Sequence, residues 1–114
     1  MKLLNSFKYA LNGLKISFVS EANLKIHLFI TIIVVFSGFA VKLSAIEWCV
    51  ILLCIGMVIG FELINTAIEK LADRVTVEHD PKIGLIKDIA AGAVFLSALI
   101  AVIVGAIIFL PKIS

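Results

Sequence analysis

Residues Glu62–Asp88 read ELINTAIEKLADRVTVEHDPKIGLIKD, and the stretch begins inside a long apolar segment. Before it reaches a polar loop it carries Glu62, Asn65, Glu69 and Asp73. At about 100° per residue on an α-helix, those four positions share a stripe roughly 80° wide. Carboxylates on a helix that leaves a membrane are expensive unless metal or cations meet them. The same stretch therefore marks the end of a membrane span and the start of a polar site.

Composition agrees with a bilayer setting. The chain has 114 residues, of which 62% are hydrophobic and only 16% charged. Its mean hydropathy of +1.21 is too high for a soluble globule. A net charge of +2 gives no electrostatic basis for binding nucleic acid. There is no G-x-x-x-x-G-K-S/T, G-x-G-x-x-G or H-E-x-x-H pattern, so the usual soluble nucleotide and zinc-protease signatures are missing. Cys49 and Cys54 lie on one expected helix about 7.5 Å apart, too far for a bridge, and read as small packing residues. The first twenty residues lack the apolar core and small-residue cleavage site of a secretory signal.

Working outward, residues 3–19 predict an amphipathic surface helix. Leu4, Phe7, Leu11, Leu14 and Phe18 recur at spacings of three and four, with Lys8 and Lys15 at the flank of the apolar face. Glu21, Asn23, Lys25 and His27 precede the first span, expected over about 24–41. Glu21 and Lys25 have the spacing of a helical ion pair, and His27 reads as an interfacial hydrogen-bonding residue. A short turn with Glu47 and the interfacial Trp48 leads to a second span over about 46–64, continuing as a helix to about 75. That span contains Gly56-Met57-Val58-Ile59-Gly60, a GxxxG pointing some 120–160° away from Glu62, which would let another helix approach. Residues 76–86, with His79-Asp80-Pro81 and Gly84, read as the break before a third span over 88–110, whose first turn (Ala90, Ala91, Gly92, Ala93) is slim.

Topology follows from the basic residues. Lys2, Lys8, Lys15 and Lys25 precede the first span, and Lys70, Arg74, Lys82 and Lys87 flank the second loop. The first turn has Lys42 and the tail has Lys112. The positive-inside rule thus puts the amino terminus and the acidic stripe in the cytoplasm and the tail outside.

Glu21, Glu62, Glu69 and Asp88, with Asn65 and Lys87, then lie near one membrane face. No histidine–cysteine set accompanies them, so this oxygen-rich collection suits a hard cation such as Mg²⁺. Mg²⁺ is commonly held by one or two carboxylates together with substrate phosphates, and Lys87 could give a phosphate chain a point charge. A carboxylate at headgroup depth could accept a hydroxyl proton. Together these parts describe phosphoryl transfer from a metal-bound nucleotide to a lipid alcohol. Three alternatives stay open on the residues alone. The acids could pair with Lys70, Arg74 and Lys87 as a polar cap, although Glu62 has no cation at i±3 or i±4. They could line an ion or proton pathway. Or the chain could be a non-catalytic membrane subunit whose GxxxG serves assembly.

The pattern E-x-x-N-T-A-I-E-x-x-x-D, present as Glu62, Asn65 to Glu69 and Asp73, continues through His79 to Lys87-Asp88 and A-A-G-A-V. It resembles the prokaryotic diacylglycerol kinase family, and in detail its undecaprenol kinase branch. Glu21 with Asn23, Ile46-Glu47-Trp48 and the closing Ile-Phe-Leu-Pro-Lys extend the likeness over nearly the whole chain. The loop departs from the family pattern at Asp80 and Gly84.

The resemblance implies an all-α integral protein of the cytoplasmic membrane, three transmembrane helices plus the surface helix, in a homotrimer with shared active sites. It implies an ATP- and Mg²⁺-dependent lipid kinase acting on undecaprenol, with diacylglycerol as the alternative lipid. Glu62 would be the general base and Asn65 would order the site. Glu21 and Glu69 would hold metal and, with Lys87 and Asp88, contact the nucleotide. Tyr9 and the loop residues Glu78, His79 and Asp80 match nucleotide-contacting positions less specifically.

Overall fold

A computed structural model describes residues 1–114 as four helices: α1 (Lys2–Ser20), α2 (Ala22–Ala40), α3 (Ala45–Val75) and α4 (Pro81–Ile113). The last three are long and apolar enough to cross a membrane. At 1.5 Å per residue, α3 and α4 each extend well past a hydrocarbon core of about 30 Å. Glu69 and Asp73 lie in the polar carboxyl-terminal part of α3.

Local chemistry explains where each helix stops. Helix α2 ends in a Schellman motif, in which the Leu43 N–H donates to the Gly38 carbonyl at 3.1 Å and the Lys42 N–H to that of Phe39 at 3.3 Å. Lys42 sits there at φ 57°, a left-handed conformation usually given to glycine. Helix α3 then starts on a capping box. The Glu47 N–H donates to Ser44 Oγ at 3.2 Å, and the Ser44 N–H donates back to Glu47 Oε1 at 2.9 Å.

The α2–α3 hairpin closes on Gly38. A Cβ at that position would stand 2.7 Å from Trp48 Cη2 and 2.9 Å from Leu43 Cδ1. The absence of a side chain lets the Trp48 ring lie across the turn, where it meets Phe39 with ring centroids 4.9 Å apart. The α3–α4 hairpin is clamped at both ends by ion pairs. Glu47 Oε1 takes Lys112 Nζ at 3.1 Å, and Asp73 Oδ1 takes Lys87 Nζ at 2.6 Å.

One boundary differs from expectation. The third membrane helix begins at Pro81, seven residues ahead of 88, because Asp80 and Pro81 start a helix rather than merely break one. Asp80 Oδ1 accepts from the backbone N–H of Lys82 at 2.9 Å and of Ile83 at 3.4 Å, and Pro81 occupies the first helical position. At the other end the helix runs through Pro111 to Ile113.

Only ten residues of the chain are buried. Leu24, Ile51, Val58 and Ala72 form the seam that α3 makes with its neighbours, and most large apolar side chains face outward. Surface of that extent belongs against lipid or against other helices. The Gly56–Gly60 face is among the open parts, since a Cβ at either glycine would meet nothing within 4 Å. None of α1 is buried, and Leu4, Phe7 and Leu11 on its apolar face are all exposed.

Candidate active site

In the turns after Val58, α3 buries a run of polar groups. Glu62, Asn65 and Thr66 are 4%, 6% and 5% exposed, which puts them among the ten most enclosed residues of the chain. One turn on, Asn65 Nδ2 donates to Glu69 Oε1 at 3.1 Å, so the helical spacing of the motif is realised as a contact. Asn65 Oδ1 is buried and has no partner within the chain. Leaving an acceptor in that state costs about 1–3 kcal/mol unless a group from outside the chain meets it.

Glu62 does have a partner, and sequence reasoning missed it. His27 Nε2, on α2, lies 3.6 Å from Glu62 Oε2. No cation stands at i±3 or i±4 from Glu62 along α3, and the partner comes across the hairpin. A signal was present in the sequence. An antiparallel hairpin turning at residues 41–44 puts His27 level with Val58, and Glu62 is one helical turn beyond Val58.

A second cluster forms where α3 passes into α4. Glu78, His79, Asp80 and Lys87 line a polar cavity of about 590 Å³ together with Asp73 and Thr76. These include four of the positions expected to contact nucleotide. Asp80 spends one oxygen on the α4 cap, and the Glu78 N–H donates to Thr76 Oγ1 at 3.1 Å. Lys87 is held by Asp73, so the polar-cap pairing exists there, but it reaches across helices rather than along α3.

Other expected residues stand apart. Glu21 forms the junction of α1 and α2, where its backbone N–H donates to the Ser17 carbonyl at 2.9 Å. Its carboxylate makes no pair with Lys25, whose contact to Glu21 is through the backbone at 3.2 Å. Tyr9 is 72% exposed on α1, and Asp88 is exposed beside Lys87. Within one chain no three His, Cys, Asp or Glu side chains converge as a cation-binding group. The chain thus presents buried Glu62 and Asn65 with the exposed Glu69 one turn on, and a separate polar cavity at the same end of α3.

Between the three membrane helices, His27 also lines an apolar cavity of about 260 Å³ walled by Thr31, Val34, Cys54, Val58 and Val102 among others. An apolar space with a histidine in its wall has the chemistry for a lipid bearing a polar end.

Comparison with known proteins gives these features a family. Residues 8–109 match the model for prokaryotic diacylglycerol kinase. An undecaprenol kinase of Bacillus subtilis (strain 168) is 42% identical over 97% of this chain and 90% of its own length. A diacylglycerol kinase of Synechocystis sp. is 39% identical over 96% of this chain and 63% of its own length. A diacylglycerol kinase of Haemophilus influenzae is 31% identical over 94% of this chain and 92% of its own length. These relatives are enzymes, so the ion-pathway and non-catalytic alternatives fall away. With its three membrane-length helices and its buried Glu62, the chain belongs to the prokaryotic diacylglycerol kinase family and is a membrane lipid kinase.

Proposed function

We propose that this chain transfers the γ-phosphoryl group of ATP to the hydroxyl of undecaprenol, giving undecaprenyl phosphate. The observation that carries the chemistry is the burial of Glu62 at the level where α3 leaves the apolar core, one turn from the Asn65–Glu69 pair. A carboxylate there can accept the hydroxyl proton as the lipid oxygen attacks the γ-phosphorus and the bond to ADP breaks. The choice of lipid rests on the 42% identity to an undecaprenol kinase over nearly the full chain. Diacylglycerol is the second reading, favoured by the Synechocystis and Haemophilus relatives.

In this account Asn65 fixes the Glu69 carboxylate, and Lys87 moves from Asp73 to the phosphates when nucleotide arrives. Asp88, Tyr9 and the Glu78–Asp80 loop contact the nucleoside end. The donor set fits Mg²⁺, since Glu21 and Glu69 offer hard carboxylate oxygens and Asn65 Oδ1 is buried without a partner. Glu21 and Glu69 would hold the ion, which when bound neutralises phosphate charge as the γ-phosphoryl transfers.

The site is shared between copies in a homotrimer. The open Gly56–Gly60 face, the unpaired Asn65 Oδ1 and the separation of Glu21 from a third ligand all support that assembly. The amphipathic α1 lies on the cytoplasmic surface of the cytoplasmic membrane, the active site faces ATP, and the carboxyl terminus is outside, as the basic residues indicate. A side-by-side assay of purified protein with ATP, Mg²⁺ and either undecaprenol or diacylglycerol tests the lipid choice. Faster turnover of undecaprenol supports the first reading, and faster turnover of diacylglycerol supports the second.

A further inference from the structure

The Glu62 carboxylate has one charged or polar side-chain contact in the chain, and it comes from another helix. His27 Nε2 stands 3.6 Å from Glu62 Oε2, with the two side chains 20% and 6% exposed. No side-chain hydrogen bond competes for either group. His27 is carried on a well-fixed part of α2. Leu24, one turn earlier, is completely buried, and Thr31 Oγ1 donates to the His27 carbonyl at 2.8 Å. Across the seam, Val58 is buried one turn before Glu62. The two backbones are thus anchored beside the pair.

A general base is useful only if the accepting oxygen points at the proton. A carboxylate free to rotate in an apolar setting presents either oxygen in many directions, and a donor on one oxygen fixes the other. An imidazole N–H carried on Nε2 would face Oε2. A contact of 3.6 Å is longer than a formed hydrogen bond, and such pairs tighten when substrate closes the site. The same histidine lines the apolar cavity between the three membrane helices, so it stands between the carboxylate and a space suited to hydrocarbon.

We propose that His27 is a positioning residue for the phosphoryl-transfer step. Its Nε2–H holds Glu62 Oε2, which leaves Oε1 to accept the proton of the lipid hydroxyl. This rests on the reading of Glu62 as the general base. The role is not visible along α3, because it depends on the register of the α2–α3 hairpin.

Turnover of the full-length protein in detergent with ATP, Mg²⁺ and the preferred lipid tests it, using His27→Leu, His27→Gln, Glu62→Gln and the His27→Leu/Glu62→Gln double variant. Removal of a group that orients a catalytic ligand commonly costs about 10–100-fold. His27→Leu is therefore expected to lower kcat at least about tenfold while KM for ATP stays within about twofold. Glutamine can place an amide N–H where Nε2 was, so His27→Gln recovers most of kcat. If His27 acts through Glu62, the double variant is no slower than Glu62→Gln alone. A His27→Leu enzyme with wild-type kcat beside an inactive Glu62→Gln enzyme would overturn the role of His27 and leave the base intact. Equal losses in His27→Leu and His27→Gln would also overturn it, pointing to packing rather than a donor. Full activity in Glu62→Gln would remove the base and this inference together.

Discussion

Asp73 Oδ1 and Lys87 Nζ lie 2.6 Å apart and join the carboxyl-terminal end of α3 to the second turn of α4. The pair is partly solvated, with side-chain exposures of 65% and 38%, so it contributes at most about 1 kcal/mol to stability. A contact that weak can release Lys87 to a phosphate chain at little cost. Lys87→Met is expected to lower kcat/KM for ATP by about a hundredfold or more, as loss of a charged phosphate contact does. Asp73→Asn should shift unfolding by less than about 1 kcal/mol and leave kcat close to wild type. Steady-state kinetics and thermal unfolding of the two variants check both expectations.

Asp80 separates capping from nucleotide contact. Its carboxylate accepts two backbone N–H groups at the start of α4, and removal of such a cap costs about 1 kcal/mol. Asp80→Ala should lower stability by that amount, and Asp80→Ser should restore most of it. If Asp80 also touches nucleotide, KM for ATP rises in both variants. A KM that follows stability alone would assign the residue to the cap only.

The glycines of the first hairpin and of the GxxxG should answer differently to alanine. At Gly38 the added methyl would fall 2.7 Å from the Trp48 ring, and overpacking of that kind costs about 1–3 kcal/mol. At Gly56 and Gly60 the methyl meets nothing in the chain, so under the proposed assembly the loss falls on contact with another copy. Chemical cross-linking is expected to show fewer oligomers for Gly56→Ala/Gly60→Ala, with helix content unchanged. Gly38→Ala should lower thermal stability of the fold itself.

The membrane spans were legible because hydropathy and length decide them, and α3 was read through to about 75 because its polar stripe keeps helical period. The Asn65–Glu69 contact was legible for the same reason, being local to one helix. The start of α4 was less so. Asp80-Pro81 signals both the end of an extended segment and the cap and first residue of a helix, and a loop reading of residues 76–86 takes only the first signal. The pair His27–Glu62 is not visible along either helix alone, since it depends on how two helices align across a turn, whereas Lys87 is legible as a partner for the acids without showing that it meets Asp73. Hairpin register, counted outward from residues 41–44, was the available clue for the first. For the second, the helical reading of residues 81–87 was needed, because it brings Lys87 back beside Asp73.

The most direct measurement is transfer of labelled γ-phosphate from ATP to undecaprenol by wild-type protein and by Glu62→Gln, both in detergent with Mg²⁺. The account predicts lipid phosphate from the wild type. It predicts a kcat lower by at least about 10²-fold in the variant, which retains its helix content and its affinity for ATP. Product formed by Glu62→Gln at close to the wild-type rate would contradict the claim that this buried carboxylate takes the lipid's proton.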